Sequence, residues 1–316
     1  MNLDMMKQAQ HRLKNIINET PLLESNQLSK LSLNHVYLKS EHLQKSGSFK
    51  IRGAYNAVKE AVEKGAKLVV AASSGNHGQA VALAANILDI RAVIVVPKNA
   101  AACKVSAIIE YGGEVEYCGL TSSERIPRAI EIAKESFGEY IPPYDDPLII
   151  SGQGTVALEI LEELPKIDAI IVPIGGGGLI AGVLTAIKEV RPDIKVIGVE
   201  PALANDTYLS LEANERIQVD GTKTIADGLR TTTPGEMTFP ILQKYLDEIV
   251  LVTEEEIKVA FKFVLERMKQ LIEPSSATTV AALLSKKIKL ENKHVVCLIS
   301  GGNIDLNEIN NLINKK

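Results

Sequence analysis

Lys50 is the side chain best suited to attack a carbonyl. It stands in Lys-Ser-Gly-Ser-Phe-Lys-Ile-Arg-Gly-Ala, residues 45–54. The spacing of Ile51, Ala54, Val58 and Ala61 predicts a helix over 48–64, with Gly65 as a natural stop. A lysine at a helix start faces the positive end of the dipole. That setting, with partial burial, lowers an amine pKa and favours the neutral form. A neutral amine is what Schiff-base chemistry requires. On local sequence alone, a solvated surface lysine is the more frequent case.

The second feature is a glycine run, Gly175, Gly176, Gly177 and Gly178, between a strand over 169–174 and a helix over 179–190. Four glycines cost more backbone entropy than a turn needs. They let N–H groups approach a ligand, and the helix start adds unpaired donors that suit a phosphate. A competing reading exists. Gly176, Gly178 and Ala181 satisfy a loose Gly-x-Gly-x-x-Ala pattern, and Glu200 lies near the end of the next strand, as in a nicotinamide-linked oxidoreductase. That pattern is weak and explains no other strand end. No Lys-Ser/Thr follows the glycines, which excludes a nucleotide P-loop.

The elements that position these residues follow from periodicity. Short apolar runs at 36–38, 68–72, 92–96, 114–117, 169–174, 195–199 and 295–299 predict strands. Several are continuously apolar, as parallel strands covered on both faces are. Their alternation with helical patterns predicts an α/β fold. In such sheets ligands sit beyond the carboxyl ends of the strands. Here those ends are Ser73 to Gly78, Gly175 to Gly178, Glu200-Pro201 and Ser300 to Asn303, all but one glycine-rich. The stretch 142–147 predicts a loop joining two lobes.

Bulk properties agree. The chain has 316 residues, enough for two lobes, with 46% hydrophobic and 23% charged residues, ordinary for a globular protein. A formal charge of -4 gives no attraction to nucleic acid or an anionic membrane. No run is long and apolar enough to span a bilayer, and the N-terminus lacks a signal peptide's apolar centre. Three widely spaced cysteines imply a reduced, cytoplasmic protein.

The ordered motifs resemble the fold-type II pyridoxal-phosphate enzymes (tryptophan synthase beta-like), in the serine racemase and serine/threonine dehydratase branch. The resemblance runs from Thr20-Pro21-Leu22 to Ser300-Gly301-Gly302-Asn303. It rests on Ser48-Phe49-Lys50-Ile51-Arg52-Gly53-Ala54, Ser73-Ser74-Gly75-Asn76-His77-Gly78, Ser151-Gly152-Gln153-Gly154-Thr155, Pro173 to Gly178, Thr224 to Gly228 and Glu273-Pro274. It implies a parallel-sheet-rich large domain, 1–67 with 146–316, and a smaller α/β domain, 68–145. It implies that Lys50 forms the Schiff base with pyridoxal 5'-phosphate and serves as base at Cα. Phe49 and Gly228 would flank the ring, Asn76 would meet its hydroxyl and Ser300 its nitrogen. The backbone from Gly175 to Leu179 would hold the phosphate. Ser73, Ser74, Gly75, Asn76 and His77 would receive the substrate carboxylate, and Arg125 would approach the substrate. Asp227 reads as a structural partner.

The resemblance also implies a structural divalent cation, magnesium or calcium, on Glu200, Asp206 and the Ala204 carbonyl, since all-oxygen ligands suit those ions. The expected activity is ammonia-lyase action on L-serine or L-threonine. Serine racemase and 3-hydroxyaspartate dehydratase are the near alternatives, and a non-catalytic binding protein is a distant one. Tyr144 occupies a position where dehydratases often carry an aromatic and some racemases an asparagine, which favours elimination. Ser275-Ser276-Ala277 departs from the small Gly/Ala pattern usual after Glu-Pro, which leaves the substrate side chain open. Ser74 lies where a racemase needs a second acid/base across from the lysine. The group is commonly dimeric, so a homodimer is expected.

Overall fold

The computed structural model describes residues 1–314. Its strands are β1 (Leu22–Glu24), β2 (His35–Ser40), β3 (Leu68–Ala72), β4 (Arg91–Val96), β5 (Glu114–Tyr117), β6 (Glu139–Tyr140), β7 (Ala169–Pro173), β8 (Lys195–Pro201), β9 (Glu248–Val252) and β10 (His294–Ile299). They form a six-stranded sheet, β1-β2-β10-β7-β8-β9, and a four-stranded sheet, β5-β4-β3-β6. All pairs are parallel except β1 with β2. Each predicted apolar run is a strand. Three strands fall outside those runs: β1 and β6 are only three and two residues long, and β9 is an edge strand whose apolar run, Ile249 to Val252, carries the same signal. The antiparallel β1 also departs from the expected parallel pattern. A short edge strand needs only a return of the chain, not a helical crossover.

Both sheets are covered on both faces. In β10, Val295, Cys297 and Ile299 join one apolar cluster with Ala277 and Val280. Val296 and Leu298 join the opposite one with Ile180 and Leu184. The small sheet repeats the pattern, with Val69 and Ala71 on one face and Leu68 and Val70 on the other. This is why the strands read as unbroken apolar runs.

The helix predicted over 48–64 spans Lys50–Glu63. Its apolar face, Ile51, Ala54, Val58 and Ala61, packs in the cluster of the four-stranded sheet. Its other side meets the helix Pro147–Glu163, where Gly53 N–H donates to Gln153 Oε1 at 3.2 Å. The Lys50 helix therefore stands between the two sheets. The loop predicted at 142–147 does connect β6 to the helix Pro147–Glu163. Among the described residues, no helix is long and apolar enough to cross a membrane.

Candidate active site

Arg52, in the first turn of the Lys50 helix, anchors that turn. Its guanidinium is fully buried and donates to both oxygens of the equally buried Glu41, at 2.7 and 2.8 Å. It also donates to Glu159 at 2.8 Å and to Thr155 Oγ1 at 3.1 Å. A planar guanidinium gripped by two carboxylates has little freedom, so the backbone that carries Lys50 is held with it.

Lys50 opens the helix and is partly buried. Its Nζ donates to the Pro143 carbonyl at 2.6 Å and lies 5.3 Å from the centre of the Phe49 ring. Burial lowers its pKa to about 8, against the opposing charge of Glu273. One in roughly ten such amines is neutral at pH 7. Phe49 is tied to the end of β10 by its N–H, which donates to Ser300 O at 2.9 Å.

The glycine loop follows β7. Among the described residues, the N–H groups of Gly175, Gly176, Gly177, Gly178, Leu179 and Ile180 have no protein acceptor. Gly177 sits at φ +90, in the left-handed region, and leads into the helix Gly178–Val190. A Cβ on Gly176 would lie 2.5 Å from the Tyr144 ring, so only glycine fits there. Thr238 braces the loop, donating from Oγ1 to Gly176 O at 2.8 Å. Asp145 in turn accepts from the N–H groups of Glu236 and Met237, both at 2.8 Å, and of Thr238 at 3.3 Å. Six clustered donors at a helix start, with no carboxylate aimed at them, fit a phosphate group.

A second set of donors follows β3. Ser73 Oγ accepts from Gly75 N–H at 3.2 Å. The N–H groups of Asn76, His77 and Gly78, at the start of the helix Asn76–Ile87, have no acceptor among the described residues. Ser74 is partly buried and makes no hydrogen bond there. The His77 side chain turns away, its Nε2 being 2.9 Å from Ile141 O. Burial, then the charge of Lys50, pushes its pKa down to about 3, so the ring is neutral. His77 can offer a ligand its backbone N–H. The Asn76 amide donates to Glu273, 3.0 Å from each oxygen, and accepts from Asn303 Nδ2 at 2.8 Å.

Ser300 follows β10 and is nearly fully buried; its hydroxyl is 3.1 Å from Ser276 Oγ. It caps no helix. Gly228 N–H donates to Ser275 Oγ at 3.0 Å. The Gly228 carbonyl is 3.3 Å from the Cβ that Gly175 lacks, so this turn lies beside the glycine loop. Asp227 pairs with Lys104, an ion pair that links the two sheets' lobes. Arg125 is not drawn in with the rest. It lies in the helix Ser122–Glu135, its Nη2 donates to Ser122 Oγ at 3.1 Å, and none of its hydrogen bonds reaches a cleft residue.

Glu200 and Asp206 lie apart from these groups. Glu200 is fully buried at the end of β8 and accepts from the N–H groups of Thr207 at 3.1 Å and Tyr208 at 2.8 Å. Burial, with the nearby Asp206, pushes its pKa up to about 8. Burial pushes Asp206 up to about 7. The buried Ala204 carbonyl accepts no hydrogen bond among the described residues. Among the described residues no group of three or more His, Cys, Asp and Glu side chains is placed to hold a metal ion; the two carboxylates and the carbonyl are oxygen donors of the kind a hard cation takes.

Sequence reasoning gave no role to Glu273, Asn303, Thr238 or the Pro143 carbonyl. Glu273-Pro274 and Asn303 were visible as motif members. A carboxylate just before a helix-starting proline was the available signal for the first. A groove of about 960 Å³ lined by residues including Lys7, His11, Lys14, Arg52 and Glu159 contains none of the cleft donors.

The family pattern of pyridoxal-phosphate dependent enzymes matches residues 13–301. The chain belongs to that family. It is 44% identical to the L-threonine ammonia-lyase of Thermotoga maritima over 316 residues, covering 100% of this chain and 79% of that protein. It is also 44% identical to the serine racemase of Dictyostelium discoideum, covering 99% and 98%. The structure of maize serine racemase superposes with a TM-score of 0.94 at 39% identity, covering 98% of this chain and 95% of that one. The fold is thus that of the fold-type II pyridoxal-phosphate enzymes, and the chain is an enzyme of that family. The nicotinamide reading is set aside. The Glu200 side chain points into the Thr207 and Tyr208 N–H groups rather than standing free for a ribose.

Proposed function

We propose that this enzyme eliminates water from L-serine or L-threonine to give an enamine acid, which takes up water again to yield a 2-oxo acid and ammonia. The observation that carries the reading is Lys50, with its lowered pKa, in one cleft with two sets of free N–H donors. The glycine loop would hold the phosphate, Asn76 the ring hydroxyl and Ser300 the ring nitrogen, with Phe49 and Gly228 about the ring. When bound, pyridoxal phosphate supplies an electron-poor system that acidifies the substrate Cα–H.

The protein's own residues do the rest. Lys50 is the base that takes the Cα proton, its amine kept partly neutral by burial. The Asn76, His77 and Gly78 N–H groups, with Ser73, Ser74 and Gly75, receive the substrate carboxylate. The Ser300 hydroxyl lacks the charge to keep a proton on a ring nitrogen as a carboxylate would, which supports prompt loss of a β-hydroxyl. Tyr144, whose ring stands against the glycine loop, is the aromatic that the resemblance associates with dehydratases, and on that resemblance it supports elimination. Arg125, in the proposed small domain 68–145 that faces the large domain of 1–67 with 146–316, is proposed to approach the substrate; its buried Nε and Nη1 have no hydrogen-bond partner among the described residues, which supports the role.

Serine racemisation is the second reading, and the unbonded hydroxyl of Ser74 favours it. Inversion at Cα needs a proton donor across from the lysine. Glu200, Asp206 and the Ala204 carbonyl are proposed to hold a structural magnesium or calcium ion. A homodimer is the proposed assembly, checked by sedimentation. Two of three free cysteines, Cys103 and Cys118, are not fully buried, which supports a reducing, cytoplasmic setting.

The test is a product assay on L-serine, L-threonine and 3-hydroxyaspartate, following keto acid and D-amino acid together. Keto acid without D-serine is expected. D-serine as the main product from L-serine would replace the lyase reading with the racemase one. Ser74→Ala should then abolish D-serine formation while sparing ammonia release from L-serine.

A further inference from the structure

Glu273 is a buried carboxylate in the cleft that the proposed reaction leaves without a role. It is 3% exposed and precedes the helix Pro274–Leu284. Its two oxygens are each 3.0 Å from Asn76 Nδ2. Across the amide, Asn303 Nδ2 donates to Asn76 Oδ1 and to Ser46 O, both at 2.8 Å. A Cβ on Gly301 would lie 3.0 Å from Glu273 Oε2 and 3.1 Å from Asn76 Nδ2, so a glycine is needed beside the pair. Among the described residues no cation pairs with Glu273, since Lys104 pairs with Asp227.

An asparagine amide carries two N–H donors and one oxygen, and the two ends have similar shape. Here its neighbours distinguish them. Turning the amide over would set its oxygen against a carboxylate and its NH₂ against the NH₂ of Asn303. Both contacts are repulsive, and two hydrogen bonds are lost, one of them to a charged group.

We propose that Glu273 is a positioning residue: with Asn303 it locks the Asn76 amide so that an N–H, never the oxygen, is offered to the cofactor's ring oxygen. This rests on the cofactor reading above. A donor at that place favours the ionised ring oxygen, because a hydrogen bond to the charged form stabilises it.

Glu273 also carries a pH dependence. Burial, then the charge of Asp227, raises its pKa to about 7, against Asn76 and Lys104. The charged groups about it are Asp227 from the turn Asp227–Leu229, Lys104 from the helix Ala102–Glu110, and Lys50. Protonation below neutrality gives the carboxyl a hydrogen of its own, which the Asn76 Nδ2 cannot accept. The lock therefore weakens as pH falls.

The experiment is an absorbance titration from acid to alkaline pH of protein loaded with pyridoxal phosphate, with cofactor affinity of the apoprotein measured alongside. The wild type should show a long-wavelength, ionised-ring band, bleached by borohydride and strengthening as pH rises through neutrality. Glu273→Ala and the near-isosteric Asn303→Asp should each move intensity to the short-wavelength band and weaken cofactor binding about tenfold. Glu273→Gln resembles the protonated acid, with one accepting oxygen and one end that only donates, so it should show the wild type's acid-side spectrum at every pH. Folded Glu273→Ala and Asn303→Asp proteins with the wild-type spectrum at every pH would overturn this proposal alone. A wild type with no bleachable band would overturn the cofactor reading and this proposal with it.

Discussion

Arg52→Met tests the anchor beneath Lys50. Methionine fills much of the arginine volume but leaves the two acids without their partner. Glu41 is fully buried and loses two charged hydrogen bonds; Thr20 Oγ1 and the nearby charge of Lys39 are what remain. Glu159 keeps Lys39 Nζ at 3.0 Å and suffers less. Breaking a buried ion pair from one side costs about 3–5 kcal/mol, roughly a 10²–10⁴-fold fall in the folding constant. A domain has only about 5–15 kcal/mol to lose.

The sign with pH is the sharper test. Burial pushes the Glu41 carboxyl up, but the charge and hydrogen bonds of Arg52, with Thr20 and Lys39, outweigh it and hold it below its ordinary value. A depressed carboxyl contributes stability that is present above its unfolded pKa and lost as pH falls through its folded pKa. Without Arg52, burial prevails and the folded pKa rises above the unfolded one. The variant then loses stability as pH rises through that higher value. Urea unfolding followed by circular dichroism at pH 7 and pH 5 should show the deficit shrinking at pH 5. Adding Glu41→Gln should recover part of it at pH 7. A deficit under about 1 kcal/mol, or one equal at both pH values, would refute the argument.

Three further outcomes follow from the site. Lys50→Ala should fold, lose the borohydride-sensitive band and lose turnover by more than about 10³-fold; wild-type turnover would remove Lys50 from the chemistry. Thr238→Val removes the donor that braces Gly176 O, so reconstitution with pyridoxal phosphate should weaken about tenfold while binding of unphosphorylated pyridoxal is unchanged; equal weakening of both would place the effect outside the phosphate loop. Chelation should lower the melting temperature and magnesium or calcium should restore it by binding the native state, with Asp206→Asn blunting the response; a flat titration would remove the cation from Glu200 and Asp206.

Much of this was legible in the residues themselves. Unbroken apolar runs marked the parallel strands, because a strand buried on both faces has no polar side. The polar, glycine-rich residues after β3, β7 and β10 marked the cleft, because ligands collect where parallel strands end. The family motifs then singled out Lys50 and its phosphate loop. Other features were settled by partners distant along the chain. Nothing near Glu273 says that Asn76, 197 positions away, takes its carboxylate. Nothing near Arg52 says that Glu41 and Glu159 close on it from both sides, or that Thr238 braces Gly176 across 62 positions. His77 and Arg125 show the same division: the resemblance implied substrate contacts for both, while where each side chain points, one ring at Ile141 O and one guanidinium beside Ser122, came only with the packing. Local sequence sets what a residue can offer, while burial and the long-range hydrogen bonds that satisfy it decide where that offer is directed.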